Sequence, residues 1–391
     1  MLAASILTAA PILASKPFPE LDPSGATILC YHIVESPQDP RMEVSREVFR
    51  QQMRYLAMTG YTVVPLKDIY EYATGKRASL PKNAVAITID DGWRSAYTEA
   101  FPELKKRHFP FTLFIYPRII GQTSYALTWK QVKEMAEAGA DIESHSLSHP
   151  FLTQRRHATL DAKQYAEWLG RELVESRKIL EKETGRPVRF LAYPYGDYDH
   201  YLAASVAKAG YDAALTCDYG RVTRGMNPYR FKRVVIEKRM DFATFRYYLG
   251  ARPLPLEAMT PMPGQTIDPA MTISARIPNY DKLEPKSVGM ALLSMTGPLP
   301  YSYDANNGLI SLVLSEGLQG TLQRALVWAT EKKSGRRVEA SWTFKLPDNL
   351  DPAFCPPIDP GVIAQHSQPS GGTAVSVSAP RTTSAAPRLQ N

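Results

Sequence analysis

Between positions 27 and 249, short apolar runs alternate with stretches whose apolar residues recur at helical spacing. The runs at 27–31, 61–64, 84–89, 111–116, 140–144, 188–193, 211–216 and 233–237 read as strands. Val48, Phe49, Met53 and Leu56 mark one face of a helix, with Ser45 placed to cap it and Gly60 to end it. Residues 129–138, closed by Gly139, repeat that pattern. A long amphipathic helix is expected over about 158–184, stopped by Gly185 and Pro187. Strands and helices in alternation predict parallel strands joined by crossover helices. Seven or eight such strands over residues 27–250 predict a distorted (β/α) barrel rather than an open sheet.

The pattern changes after Gly250. Residues 251–268 are rich in Pro and Met without periodicity and read as a linker, stiff at Arg252-Pro253-Leu254-Pro255. Short strand-like runs follow at 271–275, 289–295, 309–314, 323–329 and 338–344. Turn signals at Asn306-Asn307-Gly308 and Ser334-Gly335 separate them, and no helix of usable length intervenes. Residues 269–347 are therefore expected to form a small all-β, immunoglobulin-like sandwich. From 348 to 391 Pro, Ser, Thr, Gly and Ala dominate, which predicts a disordered tail.

Composition narrows the class. The chain has 391 residues, 44% hydrophobic and 22% charged, enough for two packed domains and unlike a disordered protein. The net charge is +7, but its basic residues are dispersed, as at Lys105-Lys106-Arg107 and Lys332-Lys333. No basic stripe accompanies a nucleic-acid reading motif, so no nucleic-acid partner is expected. Three cysteines are too few for a disulfide framework. Cys30 and Cys217 fall at strand ends and read as buried thiols, a bond between them staying open. Residues 1–26 read as a leader: 2–14 are small and apolar and end at Ala14-Ser15-Lys16, like a secretory signal, although no Lys or Arg precedes them. Export to the periplasm, cell surface or medium is the expectation. No transmembrane segment is expected in the mature chain.

Four stretches at strand ends carry the chemistry: Tyr31-His32, Thr88-Ile89-Asp90-Asp91-Gly92, His145-Ser146-Leu147-Ser148-His149 and Tyr193-Pro194-Tyr195-Gly196. Neighbouring residues of a strand point to opposite faces, but Gly92 lets the chain turn so that Asp90 and Asp91 can share a cavity. The competing reading of either aspartate is a helix N-cap. His145 and His149 are four apart, which would bring two imidazoles to one side of a helical turn. Two His and one Asp leave a tetrahedral position open for water, the form of a catalytic site. Ser144, Ser146 and Ser148 are at hand to orient the ligands.

These residues resemble the polysaccharide deacetylases of carbohydrate esterase family 4, which carry a NodB homology domain. Thr88 to Gly92 looks like that family's first motif, and His145-Ser-x-x-His149 like its second. The resemblance covers roughly residues 27–249. It implies Asp90 as general base and Asp91, His145 and His149 as ligands of one divalent cation. Zinc is expected there, though Ni, Co and Fe accept the same donors. Two features depart from the usual pattern. Ala192 stands where an arginine usually orients the base, and the late histidine acid is absent. Both departures resemble the branch acting on poly-N-acetylglucosamine of biofilm matrix, where an early Tyr-His motif supplies the acid. His32 is thus the candidate acid, and Arg233 the candidate replacement for the orienting arginine. The backbone N–H of Tyr195 is a candidate oxyanion donor. Trp93, Tyr193, Pro194 and Tyr195 are candidate substrate walls, core packing being the alternative for the aromatic residues.

The expected function is hydrolysis of N-acetyl groups from an N-acetylhexosamine polysaccharide. Peptidoglycan, chitin and lipid-linked sugar are alternative substrates. A non-catalytic carbohydrate-binding matrix protein is the alternative from another class. A glycoside hydrolase gives the paired histidines no role. The β-sandwich is a candidate surface for a cell-envelope partner.

Overall fold

In the computed structural model the apolar runs of the first 250 residues become strands of one parallel sheet. The structure describes residues 25–36, 41–153, 157, 159–267, 272–293, 299–313 and 321–346. The expected tail and nearly all of the expected leader lie outside them. The strands are β1 (Thr27–Tyr31), β2 (Thr62–Val63), β3 (Ala84–Asp91), β4 (Thr112–Ile115), β5 (Asp141–Ser144), β6 (Phe190–Ala192), β7 (Ala213–Leu215) and β8 (Val234–Val235). Their order is β8-β1-β3-β4-β5-β6-β7, with β2 beside the start of β3. Phe231 bridges Leu215 in parallel, and Val234 pairs with Leu29, so the segment leading into β8 draws the two ends of the sheet together. This is the curvature of a (β/α) barrel. β1 is buried throughout and β3 through Asp90, as strands covered on both faces must be.

Among the described residues seven α-helices accompany the sheet: α1 (Arg46–Met58), α2 (Leu66–Ala73), α3 (Phe101–Lys106), α4 (Trp129–Glu137), α5 (Ala162–Thr184), α6 (His200–Lys208) and α7 (Phe242–Gly250). Their ends follow local chemistry. The Ser45 hydroxyl accepts from the N–H of Val48 at 3.2 Å, and Phe49, Met53 and Leu56 are buried on the face the spacing marked. Thr128 and Gln131 form a capping box at the start of α4. α5 begins at Ala162 rather than near 158, because Asp161 caps it and pairs with Gln164 in a second box. Gly185 closes it at φ 66°.

Apart from a short parallel pair, Ile33–Val34 with Glu43–Val44, the remaining strands among the described residues form two four-stranded sheets. They are β9 (Arg252–Pro253), β10 (Glu257–Thr260), β11 (Thr272–Arg276), β12 (Gly289–Leu292), β13 (Tyr301–Asp304), β14 (Leu309–Val313), β15 (Leu322–Thr330) and β16 (Arg337–Lys345). One sheet has the order β9-β16-β15-β12 and the other β10-β11-β14-β13. Ile273, Ile310, Leu312, Val327, Trp342 and Phe344 pack between them. The stretch expected as a linker supplies β9 and β10. Edge strands of this kind are held by main-chain bonds, such as Leu254 N–H to the carbonyl of Glu339 at 3.0 Å, and need no apolar run to announce them.

This C-terminal unit packs directly on the barrel. Ala291, Leu293, Leu326 and Trp328 join the barrel's own buried cluster. Lys345 Nζ lies 3.0 Å from Asp197 Oδ1, both fully buried. Tyr219 N–H donates to Ser341 Oγ at 2.6 Å, and Tyr247 donates to Glu339 Oε2 at 2.6 Å.

Candidate active site

At the end of β3 the backbone leaves strand geometry: Asp91 has φ 76° and Gly92 φ 93°. That φ favours glycine at residue 92, where a Cβ would also stand a tight 3.3 Å from side-chain methyl groups of Ile115, Ile119 and Ile120. The turn brings Asp90 and Asp91 to one cavity of about 180 Å³, shared with His32, His145 and His149. Ser146 (φ 64°), His149 (φ 60°) and Tyr195 (φ 62°) are also left-handed. Strained backbone gathered around one cavity marks a place where geometry is imposed by surrounding packing.

His145 and His149 do not share a helical turn. Their segment is an irregular loop, because Ser146 and His149 both leave right-handed space. Side chains shape that loop instead. Glu172 of α5 accepts the N–H groups of Leu147 (3.1 Å) and Ser148 (3.0 Å) and the Ser148 hydroxyl (2.7 Å). Ser146 Oγ accepts the N–H of His149 at 2.9 Å, and Ser176 donates to the Ser146 carbonyl at 2.9 Å. His145 Nδ1 lies 2.8 Å from the Ala192 carbonyl. Only an N–H can meet a carbonyl, so in the neutral ring Nε2 keeps its lone pair for the cavity.

The three candidate ligands converge. Asp91 Oδ1 lies 3.4 Å from Nε2 of His145 and 3.4 Å from Nε2 of His149. The two Nε2 atoms are 3.1 Å apart. Bonds of about 2.0–2.2 Å in tetrahedral array place donor atoms about 3.3–3.6 Å apart. Asp91 Oδ1 is buried without a hydrogen-bond partner, as an atom meant for a cation would be. Burial by itself raises the Asp91 pKa, but His145, His149 and His32 outweigh it and hold the carboxyl well below the usual carboxylate range. Burial, reinforced by His145, lowers His149 to about 4 against the opposing pull of Asp91. Carboxylate and neutral imidazoles are the protonation states that ligate a metal. The donor set therefore fits one divalent cation.

Glu172 supports this set from behind. Glu172→Leu is expected to weaken cation affinity about 10–100-fold, the usual cost of losing a ligand's support. Glu172→Gln keeps a carbonyl for the two N–H groups, and the Ser148 hydroxyl can turn to accept, so its loss is smaller. Calorimetric cation titration of both variants checks the ranking. An unchanged affinity in the leucine variant would remove Glu172 from that role.

Asp90 is held by a residue immediately before β8, two strands away in the sheet. Arg233 Nη1 is 2.8 Å from both Asp90 Oδ1 and Asp90 Oδ2, and each side chain is only 1% exposed. Its Nε donates to the Thr216 carbonyl at 3.0 Å. Burial lowers the Arg233 pKa, but Asp90 overrides it and drives it upward, so the guanidinium stays charged. Cys30 Sγ donates to Asp90 Oδ2 at 3.4 Å and lies 4.0 Å from His32 Nδ1. Burial pushes the Cys30 pKa well up, which keeps it a thiol and a donor. Neither Cys30 nor Cys217 forms a disulfide among the described residues, and both are buried. Ligating atoms of His32 and Asp90 lie within 4.8 Å of one another.

The aromatic candidates divide. Trp93 Nε1 donates to Asp91 Oδ2 at 3.0 Å, so this indole touches a candidate ligand and does not line the cavity. Tyr193 lines it but is fully buried, its hydroxyl bonded to the Tyr229 carbonyl at 3.2 Å. Pro194 is buried and is not among the lining residues. Tyr195 faces the cavity, stacks on Phe151 at 4.1 Å and meets His149 edge-on at 4.6 Å. Sequence reasoning missed Tyr116, 5.0 Å from the His149 ring, which ends an expected strand, and Phe151, which lies two residues after the paired-histidine motif. It also missed Tyr219, Glu237 and Arg324 on the cavity wall, where no local signal existed.

A family model described as polysaccharide deacetylase matches residues 77–214. That span includes the Asp-Asp, His-His and Tyr-Pro-Tyr-Gly motifs and stops short of His32 and Arg233. YxkH of Bacillus subtilis, provisionally named a polysaccharide deacetylase, is 30% identical over 228 residues, 58% of this chain and 77% of that protein. The poly-beta-1,6-N-acetyl-D-glucosamine N-deacetylase of Staphylococcus epidermidis is 30% identical over 199 residues, 49% of this chain and 68% of that protein. Among solved structures, IcaB from Ammonifex degensii aligns at a TM-score of 0.52 and 27% identity, covering 58% of this chain and 98% of that one.

Proposed function

The chain belongs to the polysaccharide deacetylase family of hydrolases, and on that premise we propose that it removes N-acetyl groups from poly-β-1,6-N-acetylglucosamine. The observation that carries this reading is the convergence of Asp91, His145 and His149 on one point, with Asp90 and His32 facing the same small cavity. The choice of polymer is supported by relatives bearing that name at 27–30% identity. An exported enzyme accords with the apolar run at 2–14. Among the described residues no helix is long and apolar enough to cross a membrane.

Each side chain has a task in this scheme. Asp91, His145 and His149 would hold a divalent cation, which when bound would supply Lewis-acid chemistry to a carbonyl oxygen and to water. Asp90 takes the proton of the attacking water on a carboxylate oxygen. Arg233 and Cys30 hold that carboxylate in place. The N–H of Tyr195 donates to the oxygen that gains charge as the carbonyl is attacked. His32 gives a proton to the departing nitrogen, so the sugar leaves as a neutral amine and acetate is the second product.

Acetate release from β-1,6-linked N-acetylglucosamine oligomers tests the proposal, with chitin oligomers and peptidoglycan as comparators. Activity should vanish on chelation and return with zinc, cobalt or nickel. Preference for a comparator would transfer the assignment to that polymer. Tight oligomer binding with no acetate from any substrate, cation present, would leave a carbohydrate-binding protein instead.

A further inference from the structure

We propose that Arg324, on β15 of the C-terminal unit, binds hydroxyl oxygens of the sugar residue being deacetylated, so that the catalytic cavity is built by both units. The inference rests on the deacetylase reading above and adds a residue outside the family match.

The placement follows from strand periodicity. Alternate residues of β15 face opposite ways. Ala325, Val327 and Ala329 enter the C-terminal unit's own core, while Leu326 and Trp328 pack into the barrel cluster. Arg324 continues the barrel-facing row at the point where that row reaches the catalytic cavity. Packing alone would be met by another apolar side chain there.

The residue is held firmly. β15 lies between β12 and β16, with Arg324 opposite Thr343 and its carbonyl accepting the Leu293 N–H at 2.9 Å. A group on a central strand is positioned more sharply than one on a loop. Its guanidinium stands 5.2 Å from the Tyr219 ring centre, and Nε is 3.8 Å from Asp218 Oδ1. Tyr219 lines the cavity too, and so does the carboxylate-bearing Glu237. A planar donor fork and a carboxylate are the groups that read a neutral sugar's oxygens and its hydroxyl protons. At about 180 Å³ the cavity is well below the ~300–1,000 Å³ that encloses a drug-sized ligand, so it suits a single sugar unit.

The full-length, cation-loaded protein provides the test. For Arg324→Gln on β-1,6-linked N-acetylglucosamine oligomers, KM should rise about 10–100-fold with kcat little changed, the loss expected for hydrogen bonds from a charged donor. Oligomer binding to the Asp90→Asn variant, measured by calorimetry, should weaken by the same factor when Arg324→Gln is added. Cation affinity should not move. Arg324→Lys keeps a cation near Asp218 but lacks the fork; it should show the same KM defect in part, and it carries the test if the Gln variant melts early. Unchanged KM in both variants, or a fall in kcat alone, overturns the role. A wild-type protein inactive on every N-acetylated oligomer overturns the deacetylase reading itself, and this role with it.

Discussion

Asp90→Asn lowers kcat for acetate release by about 10²–10⁴-fold, the contribution of a positioned general base, while the bound cation stays in place. The two halves of that expectation have separate physical origins. The amide matches the carboxylate in shape but cannot take a proton from water. The cation's donors are held by other contacts: His145 by the Ala192 carbonyl, Asp91 by the Trp93 indole, and the histidine loop by Glu172. None of these passes through Asp90. Acetate assays and elemental analysis of the purified variant read the two halves independently. Full activity would reject Asp90 as the base. Loss of the cation together with activity would make Asp90 part of the cation site.

Arg233→Met should destabilise the fold by about 3–5 kcal/mol, because it strands a buried carboxylate without its partner. Asp90 and Arg233 are each 1% exposed, so water cannot replace the lost guanidinium. Thr88 and Cys30 remain nearby, but neither carries charge. Denaturant melts of the single variant measure the loss. Combining Arg233→Met with Asp90→Leu removes both charges and should recover much of it, since a buried pair replaced by apolar groups is often neutral in stability. The double variant stays inactive, which separates stability from catalysis. A single variant as stable as the wild type would mean that Asp90 finds another partner.

Parts of the barrel and of its site were legible along the chain for different reasons. The runs at 27–31, 84–89, 140–144 and 188–193 announced buried strands, since strands covered on both faces read as near-continuous apolar runs. The helix starts at Ser45 and Thr128 were equally plain, because a cap is chemistry between neighbours. β9, β10 and β13 gave no such sign; they are short and half-exposed, and are stabilised by strands far away in sequence. The loop carrying His145 and His149 was misread as a helical turn, because its shape depends on Glu172, which arrives from α5.

What the sequence by itself determined is which residues stand at the strand ends: Asp90, Asp91, His145 and His149 follow apolar runs, and their residue types limit the chemistry to a cation, a base and water. What only the tertiary structure decided is who touches them. Arg233 lies 143 residues from Asp90, and Arg324 reaches the same cavity from another unit, as barrel curvature and sheet packing dictate. Local patterning records each segment's own burial, whereas a contact between distant side chains exists only once several elements have packed at definite angles.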